Sequence, residues 1–518
     1  MQRRAGRPNP FVGSAVRALA VVVAAAAALA GIVAPARSAP ALASPPTPEQ
    51  CLAATGGRCL TPALLQKAYD LQGLYGQGLT GAGVTIGIVD SFGSPTLAHD
   101  LAVYDAQYHL PELDLQVISP VGTPPAFDGH DSDVVGWAAE TTLDVEVAHS
   151  VAPGAKIVLI ETPTSETEGL QGFPEILRAE GYVLDHDLVD VISQSFAATE
   201  PTFTGPAEVR GLSAQVYPRA RAAGVTVVSS SGDNGPTDVQ LDQKTLYDRR
   251  VVDWPASDPL VTSVGGTRLD LGADGGREAP DQAWGGDEGA GGGGLSAIFA
   301  RPAYQDPVSS VVGDHRGIPD ISLDASTSSG VITYGSYDGG GWSLGGGTSQ
   351  AAPILAGIVA LADQKAHARV GFLNDALYGT LATSPAGGIV DVTRGSDDLG
   401  AGSSVPGYAA RRGYDLATGL GTVDAGRFVP AVVAATASQR RPLASADGGP
   451  ASPDPAGAGD AIPRAHATGT ASGPSVPLVT GLVVAAVLLA AGGGTGLVLR
   501  RRRPRRTADA DGSPPAVR

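Results

Sequence analysis

Four short runs constrain the fold of this 518-residue chain more than any other feature. Gly83 to Asp90, Ala155 to Ile160, Val189 to Ser195 and Gly224 to Ser229 are rich in β-branched residues and apolar on both alternating sets of positions. That is the pattern of strands buried on two faces. Longer helix-like segments separate them. The alternation predicts an α/β fold of three layers, with helical crossovers covering a central, mostly parallel sheet. Ligands of such sheets bind beyond the carboxyl ends of the strands, where Asp90, Ser195 and the loop from Ser230 lie.

The globular pattern runs over residues 47–432, and both flanks differ from it. Residues 1–43 join a basic start to an unbroken apolar run and an A-x-A-like site at Ala41-Leu-Ala43, which reads as a secretory signal peptide. Residues 433–477 are rich in Ala, Pro, Gly and Ser, the composition of a flexible stalk. Residues 478–499 are apolar and uncharged, long enough for one transmembrane helix, and the Arg-rich tail at 500–518 would stay in the cytoplasm. The expected location is therefore the cell membrane, crossed once, with the globular domain outside. Formal net charge is −17, and without the two basic ends it falls to about −27, which argues against nucleic acid as a partner. Cys51 and Cys59 are the only cysteines. In an exported chain they pair as a disulfide at the mature N-terminus, with two free thiols as the other reading.

Three polar motifs carry chemistry. In Gly345-Gly-Gly-Thr-Ser-Gln-Ala-Ala-Pro353 a serine, Ser349, precedes an apolar small-residue run, which presents a hydroxyl at the N-terminus of a buried helix. A Gly-rich turn capped by Ser349 fits the same residues. Upstream, Asp133 to Ala148 forms a helix with Glu140 and Asp144 four apart, on one face. Taken alone, a solvated acidic face is the commoner meaning of such a pair; in a cleft the two would share a proton and one could act as a general base. Ser229-Ser-Ser-Gly-Asp-Asn-Gly235 ends the fourth strand, and by itself Asp233-Asn-Gly is a turn. No His-Gly-Thr occurs ahead of Ser150-Val-Ala-Pro153, so a histidine base is missing from the place where subtilisins carry one.

Taken together and in order, Glu140-x-x-x-Asp144, Ser-Gly-Asp233-x-Gly and Gly-Gly-Thr-Ser349 resemble the sedolisins, the serine-carboxyl peptidases. The likeness spans about Thr61 to Gly421. It implies a subtilisin-like fold in which Ser349 is the nucleophile, Glu140 its base and later acid, Asp144 the supporting carboxylate and Asp233 the oxyanion donor. Substrates would be proteins or peptides, cleaved preferentially at acidic pH, with tripeptidyl-peptidase activity within the family's range. The resemblance also implies one Ca2+ ion, held by Asp391 and Asp415 with carbonyls of Val392, Arg411 and Gly413; oxygen-only ligation suits calcium. Asp253, ahead of Trp254-Pro255, falls where some members line a substrate pocket with an aspartate, which would favour a basic side chain at the cleaved position. Asp90 and Phe196 stand where some relatives extend the network with glutamate and tryptophan. The long prosegment usual in the family has no counterpart between residue 43 and the matching domain, so a separate folding or activation partner is an expectation. Two rival readings remain at this stage: a subtilisin-type protease using Asp90, His130 and Ser349, and an inactive binding or scaffold protein on a protease fold.

Overall fold

The computed structural model describes residues 42–272 and 274–444. Seven strands in it are parallel: β1 (Thr85–Ser91), β2 (Leu115–Ile118), β3 (Lys156–Thr162), β4 (Val191–Gln194), β5 (Thr226–Ser230), β6 (Thr262–Arg268) and β7 (Ile321–Asp324). Their order across the sheet is β7-β6-β5-β4-β1-β3-β2. Gln282–Ala283 adds a short antiparallel pairing to β6, so the sheet is mostly parallel. The four strands foreseen from sequence are β1, β3, β4 and β5. The pattern missed β2, β6 and β7 as strands. β2 and β7 have four residues each, too few for a period to register, and β6 (Thr-Ser-Val-Gly-Gly-Thr-Arg) is nearly devoid of large apolar side chains.

Alternate residues of each strand feed opposite cores. Ile86, Ile88, Ile157, Leu159, Val191 and Val228 face one core, and Val89, Val158, Ile160, Ile192 and Val227 face the other. Six longer helices complete the layers: α1 (Leu97–Tyr108), α2 (Ser132–Val151), α3 (Phe173–Asp185), α4 (Pro206–Ala223), α5 (Thr348–Ala366) and α6 (Ala425–Ala435). Residues of α1, α2, α5 and α6 join the first core, and those of α3 and α4 join the second. The three-layer arrangement is thus present.

Helix α5 is buried along almost its whole length, consistent with its run of Ala, Ile, Leu, Val and Gly. Close approach sets its place beside α2. A Cβ on Gly357 would lie 2.7 Å from Val151 side-chain atoms, so only glycine lets the two helices touch there. That contact fixes the helix bearing Glu140 and Asp144 against the helix bearing Ser349.

Cys51 and Cys59 are joined in a disulfide, which closes the loop after Pro48–Thr55. The folded body does not stop at residue 432, as composition suggested. Helix α6 runs to Ala435, the Gln439 amide donates to the carbonyls of Val370 and Phe372, and Arg441 pairs with Arg369. The amide of Ala444 donates to Asp190 Oδ1 at 2.6 Å. Polar anchors of this kind carry no hydrophobic signal. Among the described residues no helix is long and apolar enough to cross a membrane; the 478–499 segment and most of the signal peptide lie outside them.

Candidate active site

Ser349 is the second residue of α5, and the loop ahead of it needs glycine. Gly347 has φ of 91°, and a Cβ there would sit 2.5 Å from Asp233 Oδ2. Both facts exclude larger residues. Inside α5, Pro353 has no amide hydrogen, so the Ser349 carbonyl loses its helical donor. The Ser195 hydroxyl takes that role at 3.3 Å and also donates to Asp144 Oδ1 at 2.9 Å. One side chain at the end of β4 thereby ties the Ser349 backbone to Asp144.

The Glu140 carboxyl lies near enough to the Ser349 hydroxyl for that hydroxyl to favour its ionised form, and Asp144 lies one turn further along α2. Asp90, at the end of β1, is close enough for its charge to act on both. Asp90 and Asp144 are 0 % exposed. Both oxygens of Asp90, Oε1 of Glu140 and Oδ2 of Asp144 are shielded and accept no hydrogen bond among the described residues. Burial therefore dominates their protonation. It lifts Glu140 to about 8, a rise the Ser349 hydroxyl opposes and the charges of Asp90 and Asp233 increase. Asp90 rises to about 7, again through burial, with the Thr141 hydroxyl opposing and Glu161 adding to the rise. Asp144 is pushed well above the carboxylate range by burial, then by Asp90 and Glu140. Three acids near enough to act on one another, with no cation among the causes of their shifts, retain protons that surface acids have lost by neutral pH.

Asp233 follows the end of β5. Its Oδ1 accepts the amide of Thr348 at 2.7 Å and the Thr348 hydroxyl at 2.8 Å. Oδ2 is left beside Gly347, next to the loop that leads to Ser349. Burial raises its pKa against those two donors. A proton on Oδ2 would make this carboxyl a hydrogen-bond donor facing the start of α5.

The remaining residues picked out from sequence occupy distinct places. Asp253 is 4 % exposed, lies under Gly232, and is pushed well up by burial and by Asp238, with Glu168 and Glu200 adding. His130 is exposed in the turn ahead of α2, its amide bonded to Asp128, and the structure records no bond from it to Asp90 or Ser349. The carboxylates of Asp391 and Asp415 both grip one loop: Gly413 N donates to Asp391, and Arg411 N donates to Asp415. The carbonyls of Val392, Arg411 and Gly413 accept no hydrogen bond among the described residues, so this set offers uncommitted oxygens of the kind calcium takes. No group of three or more His, Cys, Asp or Glu side chains converges as a metal site among the described residues. Sequence reasoning did not find the Thr348 bonds to Asp233 or the Asp238 carboxylate beside Asp253. Thr348 stood inside a quoted motif, but nothing in spacing announces a contact between segments 115 residues apart.

Comparison with known proteins agrees with this geometry. Residues 81–388 match the Subtilase family (Peptidase S8), and the chain belongs to that family. Kumamolisin from Bacillus sp. (strain MN-32) is 33% identical over 396 residues, covering 74% of this chain and 65% of kumamolisin. Sedolisin from Pseudomonas sp. (strain 101) is 28% identical over 355 residues, covering 67% of this chain and 57% of that protein. The solved structure of Pseudomonas sedolisin, a serine-carboxyl proteinase complexed with two molecules of pseudo-iodotyrostatin, superposes with a TM-score of 0.62 at 26% identity, over 73% of this chain and 99% of that one. Within the subtilases, the sedolisins are the branch that the chain resembles in these comparisons. The chain spans less than two thirds of the length of both curated relatives.

Proposed function

We propose that the chain is a serine-carboxyl peptidase that hydrolyses peptide bonds in proteins or peptides. One observation carries the reading: the neighbour of the Ser349 hydroxyl is the Glu140 carboxyl, in a buried cluster with no imidazole. In the proposed reaction Ser349 Oγ attacks the peptide carbonyl carbon and its proton passes to ionised Glu140. A C–O bond forms as the carbonyl π pair moves onto oxygen, and protonated Asp233 donates a hydrogen bond to that oxyanion. The intermediate collapses with cleavage of the C–N bond, and Glu140 gives its proton to the leaving amine. Water repeats the sequence on the acyl-enzyme, with Glu140 again as base. Asp144 and Ser195 keep Glu140 and the nucleophile backbone in register, and Asp90 holds a further shared proton.

Acidic pH is favoured because Asp233 must keep its proton, and Glu140, which burial also holds protonated there, acts as base in the fraction of molecules whose cluster has lost one proton. Rising pH strips Asp233 and the cluster of protons and turns a donor into a negative charge facing the oxyanion. A calcium ion at Asp391, Val392, Arg411, Gly413 and Asp415 would tie two loops together and play no part in the bond cleavage. A basic residue at the cleaved position fits the acidic surroundings of Asp253. Export and a C-terminal anchor at 478–499 complete the reading, on the strength of the sequence pattern alone.

The decisive experiment compares Glu140→Gln, Ser349→Ala and His130→Ala on a mixed peptide library from pH 3 to 7. The first two abolish cleavage and the third retains it. Activity that survives Glu140→Gln but not His130→Ala would sink the proposal.

A further inference from the structure

A cavity of about 290 Å³ opens beside Glu140. Its walls include Trp137 and Phe196, Glu166 supplies a carboxyl, and Asp133 and Glu140 add two more; Asp253 does not line it, and no lysine, arginine or histidine does. The volume of about 290 Å³ lies just below the range for ligand pockets, about 300–1,000 Å³, and suits one side chain. Resting on the peptidase reading above, we propose that this cavity is a second acidic subsite, separate from Asp253, which takes a lysine or arginine side chain of the substrate and selects it through Glu166.

The loop carrying Glu166 is built rather than incidental. The Glu166 amide donates to Ser91 Oγ at 3.0 Å, Trp137 Nε1 donates to Ser165 Oγ at 3.0 Å, and the Gln171 amide donates to the Ser165 carbonyl at 3.3 Å. Gly172, with φ of 84°, closes the loop so tightly that a Cβ would lie 2.5 Å from Glu166 Cα. Held in this way, Glu166 keeps Oε1 shielded and without a hydrogen-bond partner. A lysine stem can lie along the two aromatic rings while its ammonium reaches the carboxyl, which gains the charged partner it lacks.

The charges around the cavity are all of one sign. Glu166 faces Asp133 and Glu140 from α2, Glu168 from its own loop and Asp238 from the loop after β5. Burial first, and then Glu168, Asp133 and Asp238, push its carboxyl well above the usual range. An entering cation therefore ionises Glu166 and expels its proton. The preference for lysine grows as pH rises from 5 to 7, opposite in direction to the proposed activity.

The test measures binding, independent of turnover, on the Ser349→Ala protein. Lysine is walked one position at a time along a fluorescent norleucine parent peptide, and affinities are read by anisotropy at pH 5 and pH 7. One position should bind about tenfold tighter as lysine than as norleucine at pH 7, and less so at pH 5. Glu166→Gln should remove most of that ratio and Glu166→Asp should keep part of it, in proteins with unchanged circular dichroism. The proposal is overturned if no position prefers lysine, or if the preference yields to Asp253→Asn and not to Glu166→Gln. Wild-type cleavage of the parent peptide is scored separately. Cleavage without a lysine preference sinks the subsite and leaves the peptidase standing; a Glu166-dependent preference without cleavage does the reverse.

Discussion

The two ends of the parallel sheet treat buried acids in opposite ways. At the amino end, Asp190 accepts Arg369 Nε at 2.8 Å, Thr85 N at 2.8 Å and Ala444 N at 2.6 Å. Asp320, just ahead of β7, takes a two-pronged bond from Arg316 at 2.6 and 2.5 Å, together with Ser263 N, Asn374 Nδ2 and the Tyr378 hydroxyl. At the carboxyl end, Asp90, Glu140 and Asp144 have no arginine and leave four oxygens without donors. One pole saturates its carboxylates and is held together by them. The other starves them, so that protons stay on the acids and remain movable.

The largest effect expected from this contrast is on activity. Glu140→Gln should lower kcat/KM by about 10³-fold or more, and Asp233→Asn by about 10²-fold, while thermal unfolding shows either variant at least as stable as the parent. Loss of fold in step with loss of rate would erase the distinction between the poles. At the opposite pole, Arg316→Met strands Asp320 as an uncompensated buried charge and should cost about 3–5 kcal/mol in urea unfolding. Peptidase activity of the fraction still folded should be little changed.

The next effect concerns pH. Glu140 and Asp90 titrate near 8 and 7 when folded but near the ordinary carboxylate range when unfolded. The folded state thus binds more protons between about pH 4 and pH 8, and stability falls as pH rises through that window. Calorimetry should show a melting temperature lower by about 5 °C or more at pH 8 than at pH 4. Asp90→Asn should flatten the slope by stabilising the protein at pH 8 alone; an unchanged slope would mean that the cluster is hydrated and charged. The smallest shift expected is from metal. Millimolar calcium should raise the melting temperature by a few degrees over chelator, and Asp391→Asn should abolish that gain.

Much of this was legible beforehand, for identifiable reasons. β1, β3, β4 and β5 announced themselves because strands covered on both faces must be apolar at every position. β6 did not, since glycines 265 and 266 pack too closely for side chains: a Cβ on either would lie within 2.7 Å of a neighbouring atom. The pairing of Glu140 with Asp144 follows from helical spacing, and the helix start at Ser349 from the apolar small-residue run behind it. The Ser195 bridge, the Thr348 clamp on Asp233 and the aim of Glu166 depend on loops brought together by the fold. No period in the sequence encodes them. The ordered segment beyond residue 432 was hidden for a related reason, since it is held by amides and arginines rather than by apolar burial.

That segment has a geometric consequence. Ala444 is pinned to Asp190 at the base of the strands, whereas Ser349 opens at their far tips. The last described residue therefore lies at the pole of the sheet opposite Ser349, and the proposed substrate would approach at the other.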